Sequence, residues 1–218
     1  MVLDKQRKNA DKALGPIAKL LIRTNVSPNT ITWISLLFAA AAGVLFFFSG
    51  RTPEKYYYLL YIGVGMVSLN SIFDGLDGKI ARLTGKMTKK GDFLDHVIDR
   101  YADMLIILGL GVSSWCNAVI ALAAVVGVLL TSYLGTQAQA VGCGRHYGGL
   151  LGRADRMALL TLVPIIQAAL FNYGIVTLWK FTIIEWMLLY FAVVGNITAI
   201  QRFFGTLKWF KGQEKEEP

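Results

Sequence analysis

Sulfur and imidazole are scarce in this 218-residue chain, which has two cysteines and two histidines. Cys116 and Cys143 fall near opposite ends of one expected helix. They cannot be bridged without a reversal of the chain, so both are expected to be free thiols. No cysteine or paired histidine stands at a spacing that suits zinc. Charge is sparse as well. Only 17% of residues are charged while 55% are hydrophobic, which is too apolar for an ordinary soluble domain and fits a multispanning membrane protein. The net charge of +8 first suggests nucleic acid. Its distribution argues against that partner, because the basic residues follow the ends of the apolar runs. A signal peptide is not expected either. Lys5, Arg7, Lys8, Lys12, Lys19 and Arg23 interrupt any apolar core near the start, and no small-residue cleavage site follows.

The sequence does have long apolar stretches. Six can be drawn, over residues 29–49, 56–83, 91–113, 116–141, 153–171 and 181–204. Each is near or above the ~20 residues that cross a ~30 Å hydrocarbon core. The third is the weakest, because its first half carries Asp95, Asp99, Arg100 and Asp103. Those residues fall at helical spacing, and a polar half-helix is tolerated where it lines a wet cavity. The expected fold is therefore an all-α integral membrane protein of six transmembrane helices. Before them, Leu14, Ile17, Ala18, Leu21 and Ile22 repeat at helical spacing opposite lysines, the pattern of an amphipathic helix lying at the membrane interface. The expected organisation is a juxtamembrane amphipathic segment over 1–28, one six-helix membrane domain over 29–204 and a charged cytoplasmic tail over 205–218, frayed from Lys211 onward. Lys and Arg set the orientation. Apart from Arg100 inside the third span, only Arg51, Lys55 and Lys180 lie on one side, and every other basic residue lies on the other. The positive-inside rule puts that richer side, with both termini, in the cytoplasm.

Two aspartate pairs stand at membrane-helix ends on that side: Asp74-Gly-Leu-Asp77-Gly78-Lys-Ile-Ala81-Arg82, then Gly91-Asp-Phe-Leu-Asp95-His-Val-Ile-Asp99. Asp74 and Asp77 share a helix face, as do Asp95 and Asp99. The short connection at 84–90 makes the second and third spans antiparallel neighbours, so the pairs should converge. Four close carboxylates need cations to stay ionised together. All-oxygen donors select hard ions, Mg²⁺ or Mn²⁺, and two such ions suit cleavage of a pyrophosphate. One acidic pair can be a helix cap with a solvated face. Two pairs with Gly75, Gly78 and Gly91 beside them suit the close approach of a ligand. A cation pathway for a transporter is the rival class for intramembrane acids.

This arrangement, DxxDGxxAR followed by GxxxDxxxD, resembles the signature of the CDP-alcohol phosphotransferase family, whose apolar helices would cover nearly the whole chain. The resemblance implies an integral-membrane enzyme that moves a phosphoalcohol from a CDP-linked lipid donor to an acceptor hydroxyl and releases CMP, in phospholipid biosynthesis. It implies that Asp74, Asp77, Asp95 and Asp99 hold the metals and that Asp99 is the general base. It assigns Asp77, Gly78, Ala81, Arg82 and Gly91 to CDP. Pro28-Asn29-Thr-Ile-Thr32 is similar to a segment that adds Asn29 and Thr32 to the CDP contacts. A soluble CDP-polyol donor and a homodimer are further possibilities within the family.

The acceptor is the open question. Arg153, Arg156 and Arg202 reach the acidic side, and a group of arginines beside a metal site suits a phosphorylated acceptor. Gly152-Arg153-Ala-Asp155-Arg156 and Ile200-Gln201-Arg202 resemble segments of phosphatidylinositol-phosphate and archaetidylinositol-phosphate synthases, where such arginines bind the phosphate of inositol phosphate. The chain departs from that pattern at the end of the fourth span, where Gly135 and Gln137 stand in place of two basic residues. Gln137 and Gln139 are then placed to hydrogen-bond a neutral polyol or another headgroup instead. Glycerol phosphate, serine or a neutral polyol remain alternatives to inositol phosphate. Asp103, one turn beyond Asp99, is expected to pair with Arg100 or with a neighbouring helix.

Overall fold

The computed structural model describes residues 14–144 and 151–213, and among these residues no strand forms. A helix described from residue 14 to 23, α1, precedes α2 (Pro28–Arg51), α3 (Pro53–Tyr56), α4 (Leu59–Leu83), α5 (Lys89–Gly111), α6 (Ala118–Ala140), α7 (Arg153–Asn172) and α8 (Ile183–Gln213). Residues 145–150 of the expected acceptor loop and the tail from residue 214 lie outside the described residues. Among the described residues, five helices are long and apolar enough to cross a membrane: α2, α4, α6, α7 and α8. The fold is that of an all-α membrane protein. α5 is less apolar than these five, because its first two thirds carry Asp92, Asp95, Asp99, Arg100 and Asp103.

Local chemistry accounts for the helix ends. The Ser27 side chain caps α2 by accepting from the Thr30 N–H, with Pro28 at the first helical position. α4 stops where Gly85 takes φ +66° and the Lys86 N–H returns to the Ala81 carbonyl at 3.0 Å. Thr88 then accepts from the Gly91 N–H at 3.0 Å and starts α5. A turn of only a few residues thus follows one aspartate pair and precedes the next.

α2 packs against both α4 and α5, while α4 and α5 barely touch each other. This corrects the expectation that the second and third spans are neighbours. The reason lies in small residues. Gly43 of α2 and Gly109 of α5 meet backbone to backbone, and a Cβ built on Gly109 would stand 2.2 Å from the Gly43 carbonyl oxygen. Such contact lets α2 sit between the two acidic helices. The buried Asn70 Nδ2 of α4 adds a 2.9 Å hydrogen bond to the Ser35 carbonyl of α2. A second pair, α6 and α8, closes in the same way through Gly127 and Gly195. The main core runs through this bundle, with Phe46, Leu60, Ile106, Ile107, Leu110, Trp115, Leu160 and Phe191 fully buried.

The two ends of the described chain pack as follows. α1 packs Leu14, Ala18, Leu21 and Ile22 onto Ile31, Leu76 and Ile80, whereas Ile17 stays exposed. Gly75 faces this helix: a Cβ there would come within 2.9 Å of Leu14 Cδ1, so its bare backbone receives a neighbouring side chain. The stretch expected as a tail from residue 205 continues α8 in helix as far as Gln213, because Thr206-Leu-Lys-Trp-Phe carries no helix breaker. Neither Cys116 nor Cys143 is in a disulfide.

Candidate active site

The last turns of α4 and the first turns of α5 bring the four motif aspartates to one end of the bundle. Asp77 is buried. Its Oδ2 accepts a 2.6 Å hydrogen bond from Thr32 Oγ1, and its Oδ1 accepts the Gly78 N–H at 2.5 Å. Asp74 receives both terminal nitrogens of Arg153, at 2.8 and 3.1 Å. The same guanidinium reaches Asp99 Oδ1 at 2.5 Å. Asp99 is buried too, and Arg100 lies 3.3 Å from its other oxygen. Ligand atoms of Asp95, His96 and Asp99 fall within 4.8 Å of one another.

Two cavities flank this row. The smaller, about 200 Å³, is lined by Asn29, Thr32, Asp77, Gly78, Ala81, Arg82 and Gly91, together with Asp95 and the 86–88 turn. All seven residues expected to contact CDP therefore face one space. Gly78 presents bare backbone there, and a Cβ on it would stand 3.4 Å from an Arg82 guanidinium nitrogen. The larger cavity, about 970 Å³, has Asp99 in its wall with Arg100, Arg153, Arg156, Arg202 and Lys89. Asp92 borders both.

The arginines of the larger cavity are fixed by their own helices. α7 begins at Arg153, and the Asp155 carboxylate accepts the Gly152 N–H at 3.0 Å. Three residues on, Arg156 turns to the same side and is buried against Asp103 at 2.9 Å. Asp103 lies farther from Arg100, at 3.9 Å, so of its two expected partners the neighbouring helix is the nearer. Arg202 donates to the Thr131 carbonyl at 2.5 Å. Gly135 is buried in the cavity wall, and Arg100 donates to Ser132 one turn earlier. Gln137 is exposed and outside the lining, where Gln139 stands instead. Half a helical turn separates these two glutamines, so of the pair offered by the sequence Gln139 is on the cavity face and Gln137 on the opposite one.

Sequence reasoning did not assign the Thr32–Asp77 bond or the Arg153 bridge, since both join residues far apart in the chain. Arg156 as partner of Asp103 was legible only as the rule that a buried acid needs a cation. His96 and Ser132 line the larger cavity without having been assigned a contact there. The donor set fits a divalent ion. Convergent carboxylate oxygens suit Mg²⁺ or Mn²⁺, and buried Asp99 Oδ1 makes no hydrogen bond of good geometry.

Residues 25–198 match the family model described as CDP-alcohol phosphatidyltransferase. A phosphatidylinositol phosphate synthase of Cutibacterium acnes is 31% identical over 207 residues, covering 92% of this chain and 95% of the relative. An archaetidylinositol phosphate synthase of Pyrococcus horikoshii is 28% identical, covering 95% and 97%. Among solved structures, Mycobacterium tuberculosis phosphatidylinositol phosphate synthase with CDP-DAG bound superposes with a TM-score of 0.71 at 25% identity, covering 89% of this chain and 94% of that one. A crystal structure of the same protein with manganese and citrate gives 0.71 at 26%, covering 89% and 88%.

Proposed function

The chain belongs to the CDP-alcohol phosphatidyltransferase family of membrane transferases, and from that premise we propose that it transfers a phosphatidyl- or archaetidyl-type group from a CDP-linked lipid to inositol phosphate, releasing CMP. One observation carries this reading: two differently lined cavities meet at one row of carboxylates. The smaller suits the CDP group. The larger, with its arginines, suits an acceptor that bears a phosphate. Relatives named for phosphatidylinositol phosphate and archaetidylinositol phosphate support the same acceptor. Lys89 and Arg100 supply cations to a wall where Gly135 supplies none.

In the proposed reaction Asp99 takes the proton of the acceptor hydroxyl. The acceptor oxygen bonds to the β-phosphorus as the bond from that phosphorus to the bridging diphosphate oxygen breaks. CMP departs with the bridging oxygen. Arg82 flanks the smaller cavity with a planar fork for a phosphate. Thr32 holds Asp77 in place, and Asp103 holds Arg156 against α5. Asp74, Asp77, Asp95 and Asp99 would hold two divalent ions. When bound, Mg²⁺ or Mn²⁺ screens the diphosphate and stabilises charge on the leaving CMP.

We read α5 as a sixth span whose polar half faces the two cavities instead of lipid. α1 lies at the interface, with Lys19 and Arg23 exposed. The carboxylate end of the bundle faces the cytoplasm, as the Lys and Arg distribution supports. The assignment of residues 29–204 to one catalytic unit follows from α2 and α8 both belonging to the bundle around the cavities.

The test is purified protein with CDP-diacyl or CDP-dialkyl glycerol and, in turn, inositol phosphate, inositol, glycerol phosphate and serine, read as CMP release. Inositol phosphate is expected to give the highest kcat/KM. A preference for inositol or serine would move the assignment to a transferase for uncharged or zwitterionic acceptors. CMP formation with none of them would leave the soluble CDP-polyol donor or the cation transporter.

A further inference from the structure

Arg153 occupies an unusual position for a residue that lines an acceptor cavity. Both of its terminal nitrogens are spent on Asp74, at 2.8 and 3.1 Å, and one of them also meets Asp99 at 2.5 Å. Its Nε is buried without a hydrogen bond. The guanidinium therefore lies between two carboxylates from α4 and α5, helices that scarcely touch each other. It supplies the positive charge that a cation would otherwise supply there. The other cavity arginines are held differently: Arg156 is on Asp103, Arg100 bridges Asp99 and Asp103, and Arg202 bonds the Thr131 carbonyl.

We propose that Arg153 and divalent cations compete for Asp74 and Asp99, so that the guanidinium holds the two carboxylates in the metal-free protein and gives them up as the ions bind. The physical grounds are lone pairs and charge. Both Asp74 oxygens accept from the fork, which leaves each only its second lone pair, and an ion that takes them as ligands shares the carboxylate's charge with the guanidinium. A guanidinium and a divalent ion within a few ångströms also repel each other strongly in a partly buried site. Once released, Arg153 is still in the wall of the larger cavity, beside Arg156 and Arg202. Metal loading then precedes the availability of this arginine to an anionic acceptor. The inference rests on the proposed reading of the four aspartates as metal ligands.

Mn²⁺ binding to the full-length protein in detergent, measured by the electron paramagnetic resonance of free Mn²⁺, separates the two. Arg153→Gln removes the competing charge and keeps a polar side chain. It is expected to bind Mn²⁺ about ten- to hundredfold more tightly than wild type, the range expected for removing one or two charge-assisted contacts. Arg153→Lys keeps a cation but loses the fork, and an intermediate affinity is expected. Without metal, Arg153→Gln should melt below wild type because two carboxylates lose their partner. Mn²⁺ should then raise its melting temperature by more than it raises that of wild type. Equal or weaker Mn²⁺ binding by Arg153→Gln overturns the competition. Asp77→Asn, measured alongside, shows which idea failed. If it loses Mn²⁺ while Arg153→Gln equals wild type, the competition alone is wrong. If all three proteins bind Mn²⁺ alike, the aspartates are not the ligands and both ideas fall.

Discussion

Thr32 Oγ1 donates to Asp77 at 2.6 Å in a buried setting, so one hydroxyl fixes how a proposed metal ligand is aimed. Thr32→Val should weaken Mn²⁺ binding or turnover about 10- to 100-fold, the usual cost of removing a group that orients a ligand. Thr32→Ser should restore most of it. A valine variant with unchanged Mn²⁺ affinity would assign Thr32 to the nucleotide alone. Asp99 calls for a different measurement. Asp99→Asn should keep some affinity for the CDP-lipid while losing CMP formation, because an amide cannot take the acceptor proton. Near-normal turnover would pass the role of base to His96, which lines the same cavity. At this scale much was legible in the sequence. The seven positions expected to contact CDP face one cavity although they lie on three helices: the motif fixes the spacing of those on α4 and α5, and Asn29 and Thr32 come from α2. Which of Gln137 and Gln139 faces the larger cavity depends on how α6 is rotated in the bundle, and Gln139 is the one in its lining. Thr32 was noticed, but its partner stands forty-five residues away, and no local pattern reveals that.

α5 joins the two cavities, and its stability depends on a buried ion pair. Asp103 and Arg156 meet at 2.9 Å with side chains 1% and 4% exposed. Arg156→Met should destabilise the protein by up to about 3–5 kcal/mol, because buried Asp103 loses its nearer cation and keeps only Arg100 at 3.9 Å. Combining it with Asp103→Leu should recover most of that loss. Thermal melting in detergent checks both, and equal destabilisation by the single and double variants would show that the pair is not coupled. The helices themselves were legible, because long apolar runs and capping residues such as Ser27 mark them. Their neighbours were less so. A seven-residue connection suggested that α4 and α5 pack together, yet α2 separates them. Gly43 and Gly109 were visible in the sequence, but which small faces meet depends on the packing of all the helices at once. The weakness of α5 as an apolar span was visible in advance, from its acids alone.

For the whole molecule, orientation is the property that the Lys and Arg pattern addresses most directly. Cys143 follows α6 at the carboxylate end, and Cys116 precedes it at the other. An impermeant maleimide should label Cys143 only after sealed right-side-out vesicles are opened. Cys116 should stay unlabelled in both conditions. Burial, with the Glu185 carboxylate adding to it, pushes that thiol up to about 12, so the reactive thiolate is rare near neutral pH. Labelling of Cys143 in sealed vesicles would invert the topology. The count of spans was harder to read, because length and polarity disagree in α5, and the length of α8 was hidden by the charged residues near its end. At 31 residues, α8 is about 46 Å long, which exceeds a ~30 Å hydrocarbon core and carries its last turns beyond it. The claim on which the rest depends is that four aspartates on two helices hold divalent ions for transfer from a CDP-lipid. The most direct measurement is CMP formation from CDP-lipid and inositol phosphate by EDTA-stripped protein as Mn²⁺ is returned stepwise. Activity should be absent at the start, return as Mn²⁺ is added, and fail to return in Asp74→Asn, Asp77→Asn or Asp95→Asn. Full turnover in excess EDTA, or full recovery in those variants, would contradict it.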